Sequence, residues 1–211
     1  MENVWVGIVL FALAATCLAL VEIESEGKHG WAEKLPTWYR TKGRLARIYA
    51  IIMAKKPLTG YHLWMFFFPI FFFHFQFAFA SWSLEKELLT WAVYFAWCVL
   101  WDYHWFVMNP AYKGRFKKDY VWWHAKSAWV FDWFPVDYLV GTGFSFVLAA
   151  GAALVAGNSG VLLNHFYVVA GWWGYTAILK IIVSPYYHRW HIKMHHWSRD
   201  QRDQVDIFHQ D

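Results

Sequence analysis

Four imidazoles fall within nine positions near the end of the chain, in the run Pro185-Tyr186-Tyr187-His188-Arg189-Trp190-His191-Ile192-Lys193-Met194-His195-His196, directly after a strongly apolar segment. On a helix His188, His191 and His195 stand at i, i+3 and i+7 and share one face. Imidazole is the commonest metal-binding side chain, so a one-sided row of three predicts part of a coordination sphere, with His196 beside it. The competing reading is a basic helix on a membrane surface whose histidines bind nothing, although such polar faces are usually built from Lys, Glu and Gln.

Other residues able to ligate a metal are scattered: Glu22, Glu24, His62, Asp102, His104, His124 and Asp137. Their common property emerges once the elements that carry them are placed. The composition is 59% hydrophobic and 23% aromatic with only 16% charged residues, beyond the globular norm of roughly half apolar and a quarter charged. A membrane helix needs about 20 mostly apolar residues, and five stretches qualify: 4–21, 61–82, 88–108, 136–156 and 161–184. The fold expected is an all-α integral membrane bundle, one domain over residues 1–211, with a His-rich tail at 185–211. Gly141, Gly143, Ala149, Ala150 and Gly151 give the fourth stretch the small residues that let helices approach closely in lipid. Pro69 interrupts the second stretch, and 44–54 reads as a short helix lying on the membrane surface.

Charge orients the bundle. Eight Lys/Arg lie between Ile23 and Gly60, five more between Asn109 and Pro135, and Arg189, Lys193, Arg199 and Arg202 follow the last apolar stretch; the two other connections hold only Lys86. The positive-inside bias then predicts an N-terminus outside and a C-terminus in the cytoplasm. It also accounts for the net charge of +4, which as loop charge calls for no nucleic-acid partner. Cys17 and Cys98 lie in apolar segments with no Cys-x-x-Cys pairing, which excludes a disulfide framework or zinc ribbon. The location expected is a bacterial cytoplasmic membrane.

In this arrangement Glu22 and Glu24 end the first stretch at the cytoplasmic side, His62 opens the second, and Asp102 and His104 lie in the last turns of the third. His124 sits in the following loop, Asp137 begins the fourth, and the His188–His196 cluster follows the fifth. Every part of the chain that reaches that boundary brings a potential ligand. Glu22 and Glu24 point to different helix faces, so one of them at most is expected in a shared site, and Glu22 is the choice. An ionisable group in an apolar helix is costly, about 2.5–3.5 kcal/mol for Asp at a helix centre, and a cation or His partner would offset that cost for Asp102. Structural roles compete: a headgroup contact for Asp102, a hydrogen bond for His62 or His124, an N-cap for Asp137.

The run His191-x-x-x-His195-His196, with the pair His188-x-x-His191, resembles one histidine box of the membrane-bound fatty acid desaturase and hydroxylase superfamily. The resemblance implies two non-haem irons, in preference to zinc or haem, that activate dioxygen at the cytoplasmic face to desaturate or hydroxylate a lipid or other long apolar substrate. Electrons would come from a cytoplasmic donor, for which the basic run Lys113–Lys118 offers a docking face. His62, Asp102, His104 and His124 would stand in for the family's other boxes, and Asp102 or Asp137 would orient imidazoles through the second ring nitrogen.

Three other classes compete. His74 and His165 differ in depth by only ~5 Å along their helices, which permits a bis-His haem in an electron carrier; hydrogen bonds to Gln76 or Asn164 are the plainer expectation. A metal or proton transporter would need polar groups throughout the membrane and has only those four residues. A structural subunit of a membrane complex needs no chemistry at all.

Overall fold

The computed structural model of the chain describes residues 4–53, 55–112, 116–118, 128–132 and 134–196. It is mostly helical. Helix α1 (Val4–Glu26) leads through a loop to strand β1 (Tyr39–Arg40), the short helix α2 (Arg44–Ile52) and strand β2 (Leu58–Thr59). Helix α3 (Gly60–His74) closes with a 3-10 turn at Phe75–Ala78 and is followed by α4 (Leu84–Met108). Strands β3 (Trp129–Val130) and β4 (Phe134–Pro135) precede α5 (Val136–Ala156) and α6 (Gly160–Ile178), which continues through a π-helical turn at Leu179–Val183 into α7 (Ser184–Met194). The two antiparallel pairs, Tyr39 with Thr59 and Val130 with Phe134, are clips on a helical bundle.

Three helical runs are long and apolar enough to cross a membrane: Val4–Glu26, Val136–Ala156 and Gly160–Met194. Their outer faces carry apolar side chains that water would not tolerate as one surface, among them Leu10, Val147, Leu154 and Ile181. The second apolar stretch is shorter as an α-helix than the sequence suggests. Its 15 residues run through Pro69 and stop at His74, where Gln76 Nε2 turns back onto the carbonyl of Phe73 at 3.1 Å and onto Thr90 at 2.8 Å.

Helix α4 is the axis of the bundle. Ala12, Ala15 and Ala19 of α1 are fully buried, and their spacing places them on one face where the absence of bulk admits α4 and α6. Trp97 of α4 reaches across to donate its indole N–H to the carbonyl of Phe11 at 2.7 Å. The glycine expectation for α5 holds at two positions, since a Cβ on Gly141 would stand 2.8 Å from Val99 Cγ2 and one on Gly151 3.6 Å from Leu88 Cδ1, whereas Gly143 meets nothing. Helix α4 starts on Ser83, whose hydroxyl accepts from Lys86 N at 3.2 Å, with Glu85 and Glu87 in the first turn against the positive end of its dipole.

One pole of the bundle gathers most helix ends that carry acids and imidazoles. Asn109, just past α4, donates to the carbonyl of Gly27 at 2.8 Å, so α1 and α4 finish side by side. Helices α3 and α5 begin there, since Tyr61 meets Glu22 and Tyr138 meets Asp102. Helix α7 arrives there too, with His188 Nε2 3.2 Å from the carbonyl of Val107. The π turn just before Ser184-Pro185 has a local cause: Pro185 lacks an N–H and its ring displaces the carbonyl one turn back.

The β1–β2 clip seats this pole. Trp38 packs on Gly60 so closely that an added Cβ would meet the indole at 2.6 and 2.7 Å and Thr37 Oγ1 at 3.0 Å. Gly60→Ala is therefore expected to lower stability by about 1–3 kcal/mol through overpacking, measured by thermal unfolding in detergent. Gly143→Ala, facing open space, serves as the control with no loss.

Candidate metal centre

Glu24 lies in the last turn of α1, and His191 and His195 lie one turn apart at the end of α7. The packing of α7 beside α1 puts His191 Nε2 3.2 Å from Glu24 Oε1 and His195 Nε2 2.9 Å from Glu24 Oε2. The two imidazoles stack with centroids 4.2 Å apart and planes at 25°. One ligand atom from each of the three residues lies within 4.8 Å of the other two, the one such convergence among the described residues. Ligand bonds of about 2.0–2.2 Å place donors about 3–4 Å apart around one ion, so only a small closure would seat a cation.

His191 Nε2 is buried and makes no hydrogen bond, although Glu24 Oε1 stands 3.2 Å away. The separation is short enough but the N–H direction is not, and direction decides whether a hydrogen bond exists. The result is a buried ring nitrogen facing a carboxylate at ion-pair distance. Partial burial lowers the pKa of His191, His195 and His188 lower it further, and Glu24 opposes them. That shift favours the neutral ring, the form that ligates. Tyr187, whose ring lies 5.6 Å from that of His191, has its hydroxyl pushed up to about 12 by burial first and by Glu24 second.

The structure thus brings together two of the expected ligands and one residue that the sequence reading passed over. The helix-face argument admitted one of Glu22 and Glu24 and chose Glu22; the structure puts Glu24 beside His191 and His195 instead. No signal within α1 carries this information. His188 belongs to the same row but is spent on the Val107 carbonyl. His196, beyond α7, is exposed. His124 lies outside the described residues.

Glu22, Asp102, His62 and Asp137 enter a second, buried polar cluster together with Glu26 and Lys56. Glu22, Glu26, His62 and Lys56 are each 5–6% exposed. Tyr61 donates to Glu22 at 3.4 Å, the backbone N–H of Ala32 donates to Glu26, and Tyr138 donates to Asp102. His62 bonds Thr59 Oγ1 through Nδ1 at 2.9 Å, stacks on Trp31 at 4.1 Å, and holds Nε2 3.9 Å from Glu26. Lys56 Nζ lies 3.9 Å from Asp137 and 4.8 Å from the Trp31 ring centroid. Burial lowers its pKa, against the pull of Asp102 and Asp137. The donors here are held by hydroxyls, amides and a lysine, and they do not converge on a point. Asp137 faces Lys56 and is not a cap: the position before α5 is Pro135, without a side-chain cap.

His104 is fully buried between Thr16 at 3.1 Å and Thr176 at 2.8 Å. It cross-links α1, α4 and α6. The bis-His pair is divided likewise: His74 bonds the Ile70 carbonyl at 2.7 Å and Glu87 at 3.1 Å, which occupies both ring nitrogens. His165 bonds Ser145 at 3.2 Å and packs against Phe146. The expected partners Gln76 and Asn164 are thus replaced by Glu87 of α4 and Ser145 of α5.

Fold and site together define a helical bundle with membrane-competent helices and a two-imidazole, one-carboxylate cluster at one pole. Comparison with known proteins gives no match to a family model, a curated protein or a solved structure.

Proposed function

We propose that the chain is a five-span integral membrane protein, N-terminus outside and C-terminus cytoplasmic, that binds a non-haem iron through Glu24, His191 and His195. It uses that ion in the dioxygen-dependent oxidation of a lipid-like substrate at the cytoplasmic face. The observation that carries this reading is the convergence of one donor atom from each of Glu24, His191 and His195. Two imidazoles and one carboxylate on one side of an ion leave open positions, the arrangement that suits non-haem Fe(II). When bound, the iron would supply dioxygen activation.

The protein's own residues supply the rest. Glu24 holds the two imidazoles in register, and Tyr187 borders the site. The charge asymmetry of the loops supports the orientation, and the resemblance of His191-x-x-x-His195-His196 to a histidine box supports the reaction class. The converged donors account for one ion rather than the pair the resemblance implies. The buried cluster around Asp102 would be a structural and charge-balancing layer beneath it. Elemental analysis of protein purified in detergent tests the reading. About one iron per chain without a Soret band is expected; a Soret band would mean haem, and the absence of any transition metal would end the proposal.

A further inference from the structure

Helix α2 presents a problem of its own. Leu45, Ile48, Ile51 and Ile52 are 48–82% exposed, and at positions i, i+3, i+6 and i+7 they form a row along one side. Only Ala46 of this helix is buried. Beside the row, between α2 and the β1–β2 clip, lies a cavity of about 460 Å³ lined by Trp38, Arg40, Lys42, Gly43, Arg44, Leu45, Ala46 and Leu58. Arg40, Lys42 and Arg44 are among its lining residues and no acid is. Among the described residues Arg40, Lys42 and Arg44 have no ion-pair partner. The helix begins on Gly43, which offers no side-chain cap, and its first turn carries no carboxylate, so the positive end of the dipole adds to the three cations.

The geometry points to this groove as a seat for the phosphate headgroup of an anionic glycerophospholipid, with the acyl chains lying along the exposed row of α2. Charge complementarity selects a phosphate, and the continuity of the cationic pocket with an apolar strip selects a lipid over free phosphate. Basic segments at a bilayer surface draw anionic lipid in this way, and an amphipathic helix supplies the apolar half of the contact. Position agrees: Trp38 is clamped on Gly60 and its carbonyl accepts from Gly60 N at 3.1 Å, which fixes the groove at the start of α3. The inference does not depend on the metal centre.

The test uses the full chain, delipidated in detergent and titrated with phosphatidylglycerol, phosphatidylcholine or inorganic phosphate, with binding followed by native mass spectrometry and thermal unfolding. Phosphatidylglycerol is expected to bind at one molecule per chain and raise the melting temperature, with phosphatidylcholine at least tenfold weaker. The triple variant R40A/K42A/R44A, altered only at exposed side chains, is expected to lose roughly a hundredfold in affinity while keeping its unfolding transition and its metal content. Equal binding of both lipids, undiminished binding by the triple variant, or competition by inorganic phosphate at the same affinity as the lipid would each overturn the assignment.

Discussion

Protein carrying His191→Ala is expected to emerge from purification with at least tenfold less iron than the parent, at unchanged yield. The magnitude follows from the donor count. Three groups converge, and loss even of a residue that only supports a ligand typically costs 10–100-fold in affinity; loss of a ligand costs no less. His195→Ala and Glu24→Ala should behave alike, because each removes one of the same three donors. His188→Ala should not, since His188 is committed to the Val107 carbonyl, nor should Glu22→Gln, whose side chain faces Tyr61. Acidification provides an independent check. An imidazole must be neutral to ligate, so for His191 protonation competes with the metal and iron should be released as the pH falls through and below the ordinary histidine range near 6.5. Because burial lowers the His191 pKa, half-release should lie below that range rather than above it. Equal iron in the His191 variant and the parent would refute the site.

The contrast between Glu22 and Glu24 shows where sequence stops speaking. Hydropathy and turn chemistry suffice to place the helices: α5 falls on 136–156 as expected, and α4 gains only the turn that Ser83 caps. The short helix expected at 44–54 forms at Arg44–Ile52, because its apolar residues repeat at helical spacing. These are local properties, encoded within each segment. The i, i+3, i+7 row likewise exposes the potential of α7. Which carboxylate meets that row depends on the angle at which α7 leaves α6, and that angle is set by a π turn ahead of Pro185. A change of one residue in that turn would rotate α7 by about 100° and offer its histidines a different partner. The two-residue strands were equally hidden, being too short for any alternation to show.

Depth misleads in the same way. Asp102 and His104 are neighbours in sequence and reach the same pole, yet they part company because two residues on a helix point about 200° apart. Asp102 turns toward Tyr138 of α5, and His104 toward Thr16 of α1 and Thr176 of α6. The second geometry leads to a prediction that separates a ligand from a structural residue. His104→Ala opens a cavity at a fully buried site where three helices meet, and it removes both threonine contacts. Truncations of this size cost about 2–5 kcal/mol, and hydrogen bonds between membrane helices add roughly 0.6 kcal/mol apiece. A loss of about 4 kcal/mol corresponds to a fall of roughly 8–16 °C in melting temperature for a chain of this length, readable in detergent from tryptophan fluorescence. Iron per folded chain should stay at the parental value. Each threonine hydroxyl has one proton, shared between His104 and the carbonyl of Ala12 or Trp172, and a neutral imidazole donates to only one of the two, so Thr16→Val and Thr176→Val should each cost only about 1 kcal/mol. A His104 variant that melts with the parent but has lost its iron would move this residue from the frame of the bundle into the metal centre.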